Sequence, residues 1–190
     1  TIDLIGAPGC GKTALVEATL DALNAQGIRA GVVVGDLATQ RDADRLAKHC
    51  EQVVQINTGK GCHLEAHHVR QALSRLDLAK LDLLFIENVG NLICPVGFDL
   101  GQDVKVGMFA VSDGDDKAAK HPYIVTEAAV LVLGKIDLLP HIPFNMELFR
   151  EDVRRLNPTV NLLELSVTNG HGMDAWTNWL RQNVEKKRHK

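Results

Sequence analysis

Eight residues near the start of the chain, Gly6-Ala7-Pro8-Gly9-Cys10-Gly11-Lys12-Thr13, follow the apolar stretch Ile2 to Ile5 and run directly into a helical pattern. A strand that must turn into a helix through a glycine-rich loop has few folds open to it. Glycine lets the backbone close around an anion with its amides pointing inward, and the start of the helix adds the positive end of its dipole. The spacing and the strand–turn–helix context are those of a phosphate-binding P-loop. The loop from Gly6 to Thr13 is therefore expected to cradle a nucleoside triphosphate. Lys12 would bridge its β- and γ-oxygens during catalysis, and the Thr13 hydroxyl would ligate Mg²⁺.

The rest of the chain fits a domain built around such a loop. Its 190 residues, 45% of them hydrophobic, suffice for one α/β domain with a sizeable core and are too few for two ordinary ones, so residues 1–190 are read as a single domain. A net charge of −3 leaves no general basic footprint, which argues against nucleic acid or an anionic membrane as partner. The basic run Lys186-Lys187-Arg188-His189-Lys190 reads as a solvated chain end. No apolar run approaches the ~20 residues that span a bilayer and no secretion signal opens the chain, so a cytoplasmic location is expected. Because Thr1 stands directly at the first strand, an N-terminal extension is expected outside this sequence. Four cysteines, Cys10, Cys50, Cys62 and Cys94, do not form the dense framework of a secreted disulfide domain and are expected as thiols.

Strand-like apolar runs recur at Ile2 to Ile5, Ala30 to Val34, Val53 to Ile56, Leu81 to Ile86, Gly107 to Val111, Ala129 to Leu133 and Leu162 to Leu165. Helical patterns span Lys12 to Gln26, with Gly27 as its stop, then Arg41 to Lys48, Leu64 to Leu76, Met146 to Leu156 and Met173 to Lys187. This alternation predicts βαβ units: an α/β P-loop fold with a mainly parallel sheet and helices on both faces. Ligands of such sheets sit beyond the carboxyl ends of the strands.

The informative residues fall at those ends. Gly134-Lys135-Ile136-Asp137 follows the sixth run, where guanine-binding P-loop proteins carry Asn-Lys-x-Asp. Two carboxylate oxygens of Asp137 can accept from N1–H and the 2-amine of guanine, whereas adenine offers an acceptor at N1 and no such amine. On the tetrapeptide alone, a turn-capping role for Asp137 stays open. Lys135 would lay its alkyl stem along the base. Gly134 departs from the pattern, and loss of the Asn hydrogen bond predicts GTP binding weaker by roughly 0.5–1.5 kcal/mol. Ser166 and Val167, after the last run, are placed to offer backbone groups to the base. Glu87, in Glu87-Asn88-Val89-Gly90, is the expected carboxylate for Mg²⁺ or its water shell, and a catalytic one. Asp36 reads either as a Mg²⁺-directed or water-orienting catalytic carboxylate or as a helix cap before Thr39 to Lys48.

Cys62 and His63 adjoin Thr58-Gly59-Lys60-Gly61 at an expected helix start, which would favour the thiolate of Cys62, and Cys94 lies just past Gly90. Thiolate with imidazole suits Zn²⁺ or Ni²⁺. Spacing alone leaves packed thiols and a surface histidine as the alternative, since no CxxC or HxxxH pair marks them. His67 shares the expected helical face of His63 at i+4, and His67 and His68 read as surface histidines. Trp176 and Trp179 read as core.

Together, GAPGCGKT, VGDLATQRDADR, TGKGCHLEA, ENVGNLICP and GKIDLLP resemble the HypB family, the nickel-insertion GTPases of nickel–iron hydrogenase maturation. That family stands with the urease nickel GTPases in the dimerising class of P-loop proteins. The resemblance implies slow GTP hydrolysis to GDP coupled to metal delivery, with a Ni²⁺ or Zn²⁺ site on Cys62, His63 and Cys94. It also implies a homodimer dependent on GTP or metal, and as partners a further maturation metallochaperone and the hydrogenase large subunit. Urease relatives are expected to carry Cys-Pro-His, and here Val96 follows Cys94-Pro95. The competing readings are a urease-type nickel GTPase, another P-loop ATPase or kinase, and a nucleotide-gated metal-binding module without significant hydrolysis.

Overall fold

The computed structural model describes residues 1–36 and 40–188. Leu37 to Thr39, within the Asp36 motif and the expected helix cap, and His189 and Lys190 of the basic tail lie outside the described residues. Seven strands form one sheet: β1 (Ile2–Gly6), β2 (Ala30–Asp36), β3 (Val53–Asn57), β4 (Leu83–Glu87), β5 (Val104–Ala110), β6 (Val130–Gly134) and β7 (Asn161–Glu164). Their order is β3-β2-β4-β1-β5-β6-β7, and every pairing is parallel.

All seven expected strands are present, and their near-continuous apolar runs follow from burial on both faces. Successive residues serve opposite cores. Leu4, Val32, Val34, Val130 and Val132 belong to one core, which α1 (Lys12–Asn24) and α7 (Met173–Arg188) cover with Leu15, Leu20, Trp176 and Leu180. On the other face Ile5, Phe109, Leu131 and Leu133 meet Phe149 and Val153 of α6 (Met146–Leu156). Farther along that face Val33 and Ile86 pack with Val69 of α3 (Ala66–Leu73).

Gly27, at φ +70°, ends the first helix region, and the Ile28 N–H returns to the Leu23 carbonyl at 3.0 Å. The differences from expectation have local causes. Strand β5 begins at Val104 rather than Gly107, because Lys105 and Gly107 interrupt the apolar run, and Val111 falls in a 3₁₀ turn. Two helices were not expected, α4 (Lys117–Lys120) and α5 (Pro122–Glu127), each under two turns. They are too short to show a period, and Pro122 starts the second where its missing N–H costs nothing. The remaining helix, α2, spans Arg41–Leu46. Among the described residues, no helix is long and apolar enough to cross a membrane.

Trp176 is 1% exposed and donates Nε1–H to the Thr19 hydroxyl at 2.8 Å, fixing α7 to α1, whereas Trp179 is only partly buried. Trp176→Ala is expected to lower unfolding free energy by about 3–5 kcal/mol, and Trp179→Ala by clearly less. Denaturant midpoints of the two variants check this ordering.

Candidate functional site

Strand β1 lies in the middle of the sheet, and the chain turns at its carboxyl end from Gly6 into α1. The backbone achieves the turn with Gly9 at φ +75° and Gly11 at φ +106°, in the left-handed region where a side chain is strained. Gly11 caps α1 without a side chain, so the first-turn amides open onto the loop. The Lys12 ammonium donates to the Gly6 and Ala7 carbonyls at 3.1 and 3.2 Å. Cys10 turns its thiol into the core, where burial pushes its pKa up, so only the backbone of this residue faces the loop.

Glu87 ends the neighbouring strand β4 and accepts the Thr13 hydroxyl at 2.7 Å on Oε1. Its Oε2 is buried with no hydrogen-bond partner among the described residues. Burial pushes the Glu87 carboxyl up to about 7, against the opposing pull of Thr13 and Lys12. A hydroxyl beside a carboxylate with one unsatisfied oxygen is a donor set that suits a small hard cation such as Mg²⁺. Pro8, Lys12, Thr13, Asp36, Glu87 and Lys135 line one cleft of about 430 Å³. Arg45 of α2 lines it as well, held in a bidentate pair with Glu17 at 2.6 and 2.9 Å. Sequence reasoning missed Arg45, because its place at the cleft depends on how α2 docks.

The base-reading candidates converge at the ends of β6 and β7. Asp137 Oδ1 accepts the Ser166 hydroxyl at 2.6 Å, and Ser166 is fully buried. The Ser166 N–H already donates to the His171 carbonyl at 2.9 Å, so this residue offers its hydroxyl to Asp137 rather than an amide to a ligand. Val167 is half-buried against the α1–α7 core. Lys135 adopts φ +60°, the one non-glycine residue at positive φ among those described, and donates from Nζ to the Gly9 carbonyl at 2.7 Å.

The two thiol-bearing loops also meet. Cys62 is exposed, with Sγ 3.6 Å from His63 Nδ1, and its thiol stands near enough to that of Cys94 for the two to interact. Cys94 is half-buried at the start of a 3₁₀ turn, Cys94–Gly97. Two expectations are corrected. Helix α3 begins at Ala66, so neither Cys62 nor His63 is at its first turn, and His63 does not share a helical face with His67. Nor is the thiolate of Cys62 favoured, since interaction with the Cys94 side chain pushes its pKa up. The helix starts late because Glu65 caps it, with His68 Nδ1 accepting the Glu65 N–H at 3.2 Å. His63 stacks on Phe98 at 3.8 Å between ring centroids, and its Nε2 has no hydrogen-bond partner among the described residues. Among those residues no group of three His, Cys, Asp or Glu side chains stands ready-made around an ion position.

Two asparagines, missed as functional residues, connect these loops to the phosphate loop. The Asn91 N–H donates to the Gly6 carbonyl at 3.0 Å, while its side-chain amide donates to the Cys62 carbonyl at 3.4 Å. Asn88 is 1% exposed, and its Oδ1 accepts from Leu64 N–H at 3.2 Å and Val89 N–H at 3.0 Å. Asn88 Nδ2 donates in turn to Asp3 Oδ1 at 2.9 Å.

A glycine corner carrying a lysine and a hydroxyl, set beside a buried carboxylate at the carboxyl ends of a parallel sheet, defines a P-loop nucleotide-binding protein. The family model for the CobW/HypB/UreG nucleotide-binding domain matches residues 1–164, and the chain belongs to that family. It is 42% identical over 94% of its length to hydrogenase maturation factor HypB of Escherichia coli (strain K12), spanning 61% of that relative. The probable hydrogenase maturation factor HypB of Methanocaldococcus jannaschii is 40% identical over 96% of this chain and 82% of its own. A crystal structure of HypB from Helicobacter pylori in complex with nickel superposes with a TM-score of 0.92 at 33% identity, covering 98% of this chain and 87% of the other. The chain thus spans about three fifths of the length of the first of these relatives.

Burial also pushes the Asp3 carboxyl up to about 7, with Asn88 pulling the other way. Asp3 and Glu87 therefore hold protons in the folded protein that the unfolded chain, with carboxyls near 4, releases earlier. Their contribution to stability is complete below pH 4 and lost as pH rises through 7. The ligand-free protein should lose stability between about pH 4 and 7, by on the order of several kcal/mol for the two groups together. Asp3→Asn should remove about half of that slope, as read from denaturant midpoints across this pH range.

Proposed function

We propose that the chain is a GTP-hydrolysing nickel metallochaperone for hydrogenase maturation, working in the cytoplasm with residues 1–190 as a single GTPase domain. One observation carries the reading: the loops of Cys62 and Cys94 lie side by side, and both are anchored by Asn88 and Asn91 to the corner that holds Lys12 and Thr13. A site for a soft cation and a site for a triphosphate thus share their supports. Kinship with HypB proteins, one of them solved in complex with nickel, supports nickel as the cargo.

In this reading the backbone from Gly6 to Thr13 receives the phosphates, and Lys12 leaves its loop carbonyls for the β- and γ-oxygens. Thr13 and Glu87 would hold Mg²⁺, with Asp36 reaching the same cleft. When bound, that ion neutralises charge developing on the transferred phosphoryl group. Asp36 orients the attacking water, and the buried setting of Glu87 keeps competing water away from its carboxyl. Asp137, steadied by Ser166, reads the guanine edge, with Lys135 alongside it. Cys62, Cys94 and His63, whose Nδ1 already stands 3.6 Å from the Cys62 sulfur, would take Ni²⁺ or Zn²⁺. Three ligands leave a tetrahedral site open, and a two-fold axis joining two such sets would close a shared one. Exposed apolar side chains beside Cys94, Ile93 at 68% and Phe98 at 38%, support that homodimer face. The ion then passes to a further maturation metallochaperone or the hydrogenase large subunit.

Asp137→Asn is expected to exchange GTP preference for XTP, because the amide can donate to the 2-oxo group of xanthine. Competition between the two nucleotides reads this directly, and an unchanged preference removes Asp137 from the base site. For the coupling, nickel titrations of the GTP-bound, GDP-bound and nucleotide-free protein should differ by about 5–150-fold. Cys94→Ala should abolish the difference and lower nickel affinity while leaving GTP affinity near that of the parent. Identical titrations in all three states would refute the coupling.

A further inference from the structure

Gly134, the last residue of β6, has room for a side chain only if the end of Met108 moves aside. A Cβ there would lie 2.9 Å from Met108 Cε, with the Phe109 and Cys10 carbonyl oxygens at 3.6 and 3.7 Å. Met108, on β5, is 1% exposed. The same methionine reaches the phosphate loop at both ends: its Cε lies 3.5 Å from the Cβ position of Gly11 and its own Cβ 3.2 Å from that of Gly6. One thioether therefore fills the space between the two limits of the phosphate loop and the residue that opens the Lys135–Asp137 loop.

We propose that Met108 is a positioning residue for the guanine nucleotide, setting by packing the distance between the phosphate loop and the base-reading loop. This rests on the reading of Asp137 as the base contact. In the common Asn-Lys-x-Asp arrangement, a side chain at position 134 ties these loops by hydrogen bonds. Here the glycine and the methionine form a complementary pair, one giving up the volume that the other occupies. Methionine suits the task, because its unbranched, polarisable chain fills an irregular gap between three backbone segments. A polar tie between the two loops runs from Lys135 Nζ to the Gly9 carbonyl at 2.7 Å. Spacing matters because a nucleotide is held at both ends at once, so a wandering base loop must be ordered by the ligand and affinity falls. A ligand with phosphates alone is indifferent to that spacing.

The test compares GTP with inorganic tripolyphosphate, both titrated with Mg²⁺, on the full chain. Met108→Ala should weaken GTP about tenfold, the equivalent of about 1.4 kcal/mol, and leave tripolyphosphate within about twofold of the parent. Met108→Leu, which conserves volume, should bind both as the parent does. Gly134→Asn restores a hydrogen-bonding side chain but drives it into Met108, and with the clash outweighing the restored bond it should weaken GTP by about tenfold, while adding Met108→Ala to it should recover most of that loss. Equal loss of GTP and tripolyphosphate in Met108→Ala would make Met108 a support of the phosphate loop alone and overturn the proposal. So would an unchanged GTP affinity, or a double variant no better than Gly134→Asn. If Met108→Ala fails to fold, Met108→Val carries the same expectations. Asp137→Asn run alongside separates the two readings: a switch to XTP there with no effect at Met108 defeats this proposal only, whereas no switch defeats the base assignment beneath it.

Discussion

The carbonyl of Gly6 is the point on which the functional end of the molecule turns. It terminates the central strand, and its two lone pairs are shared between the Asn91 N–H at 3.0 Å and the Lys12 ammonium at 3.1 Å. Asn91 belongs to the segment that leads to Cys94, and Lys12 is the cation expected to leave for a triphosphate. A carbonyl that loses one of two donors strengthens its bond to the other, so a change at the lysine is felt by the asparagine backbone without any large motion. Gly6 has no latitude of its own, because a Cβ there would lie 2.7 Å from both the Cys10 sulfur and the Met108 carbonyl oxygen. A larger residue cannot stand at this corner without displacing the strand beside it.

Two buried carboxyls flank this corner, and neither is fully satisfied. Asp3 Oδ2 and Glu87 Oε2 lack hydrogen-bond partners among the described residues. Burying such groups is costly, and a hydrophobic pair in their place would give a more stable sheet. Their positions account for the expense. Asp3 holds the amide of Asn88, which holds Leu64 N–H two residues past Cys62, and Glu87 holds Thr13. Stability is given up where loops must be aligned, as expected of polar groups that serve a site rather than a core.

Much of the fold could be read from the sequence, since its signals are local. The phosphate loop declares itself by glycine spacing, and seven apolar runs mark seven strands because burial on both faces needs no alternation. Helices α4 and α5 were not legible: six residues or fewer cannot display a 3.6-residue period. Candidate residues could be named where a motif follows a strand, as at Lys12, Glu87, Asp137 and Cys94. What stayed hidden depended on docking between distant segments. Arg45 enters the cleft only because α2 lies against Glu17 of α1, and Met108 looks like one more apolar residue of a strand until its neighbours are known to be glycines. The raised pKa of Cys62 is hidden from the sequence for a related reason. The helix start assumed beside it lies at Ala66, and its true neighbour, Cys94, is 32 positions away in the sequence.

Strand order explains why the thiols and the phosphate cleft are close at all. Cys62 follows β3 at the edge of the sheet and Cys94 follows β4, with β2 lying between them. To reach the β4 side, the chain after β3 must cross the end of β2, and its hydrogen bonds record that passage. Thr58 N–H donates to the Asp36 carbonyl at 2.9 Å as the loop leaves, and Leu64 N–H donates to Asn88 at 3.2 Å as it arrives. The loop carrying Cys62 and His63 is thus strung over Asp36, a residue that lines the cleft with Lys12 and Glu87. A rearrangement at the end of β2 would pull on one anchor of that loop, and one at the end of β4 on the other. Both anchors would also shift Cys62 relative to Cys94, because only the latter is carried by β4 alone.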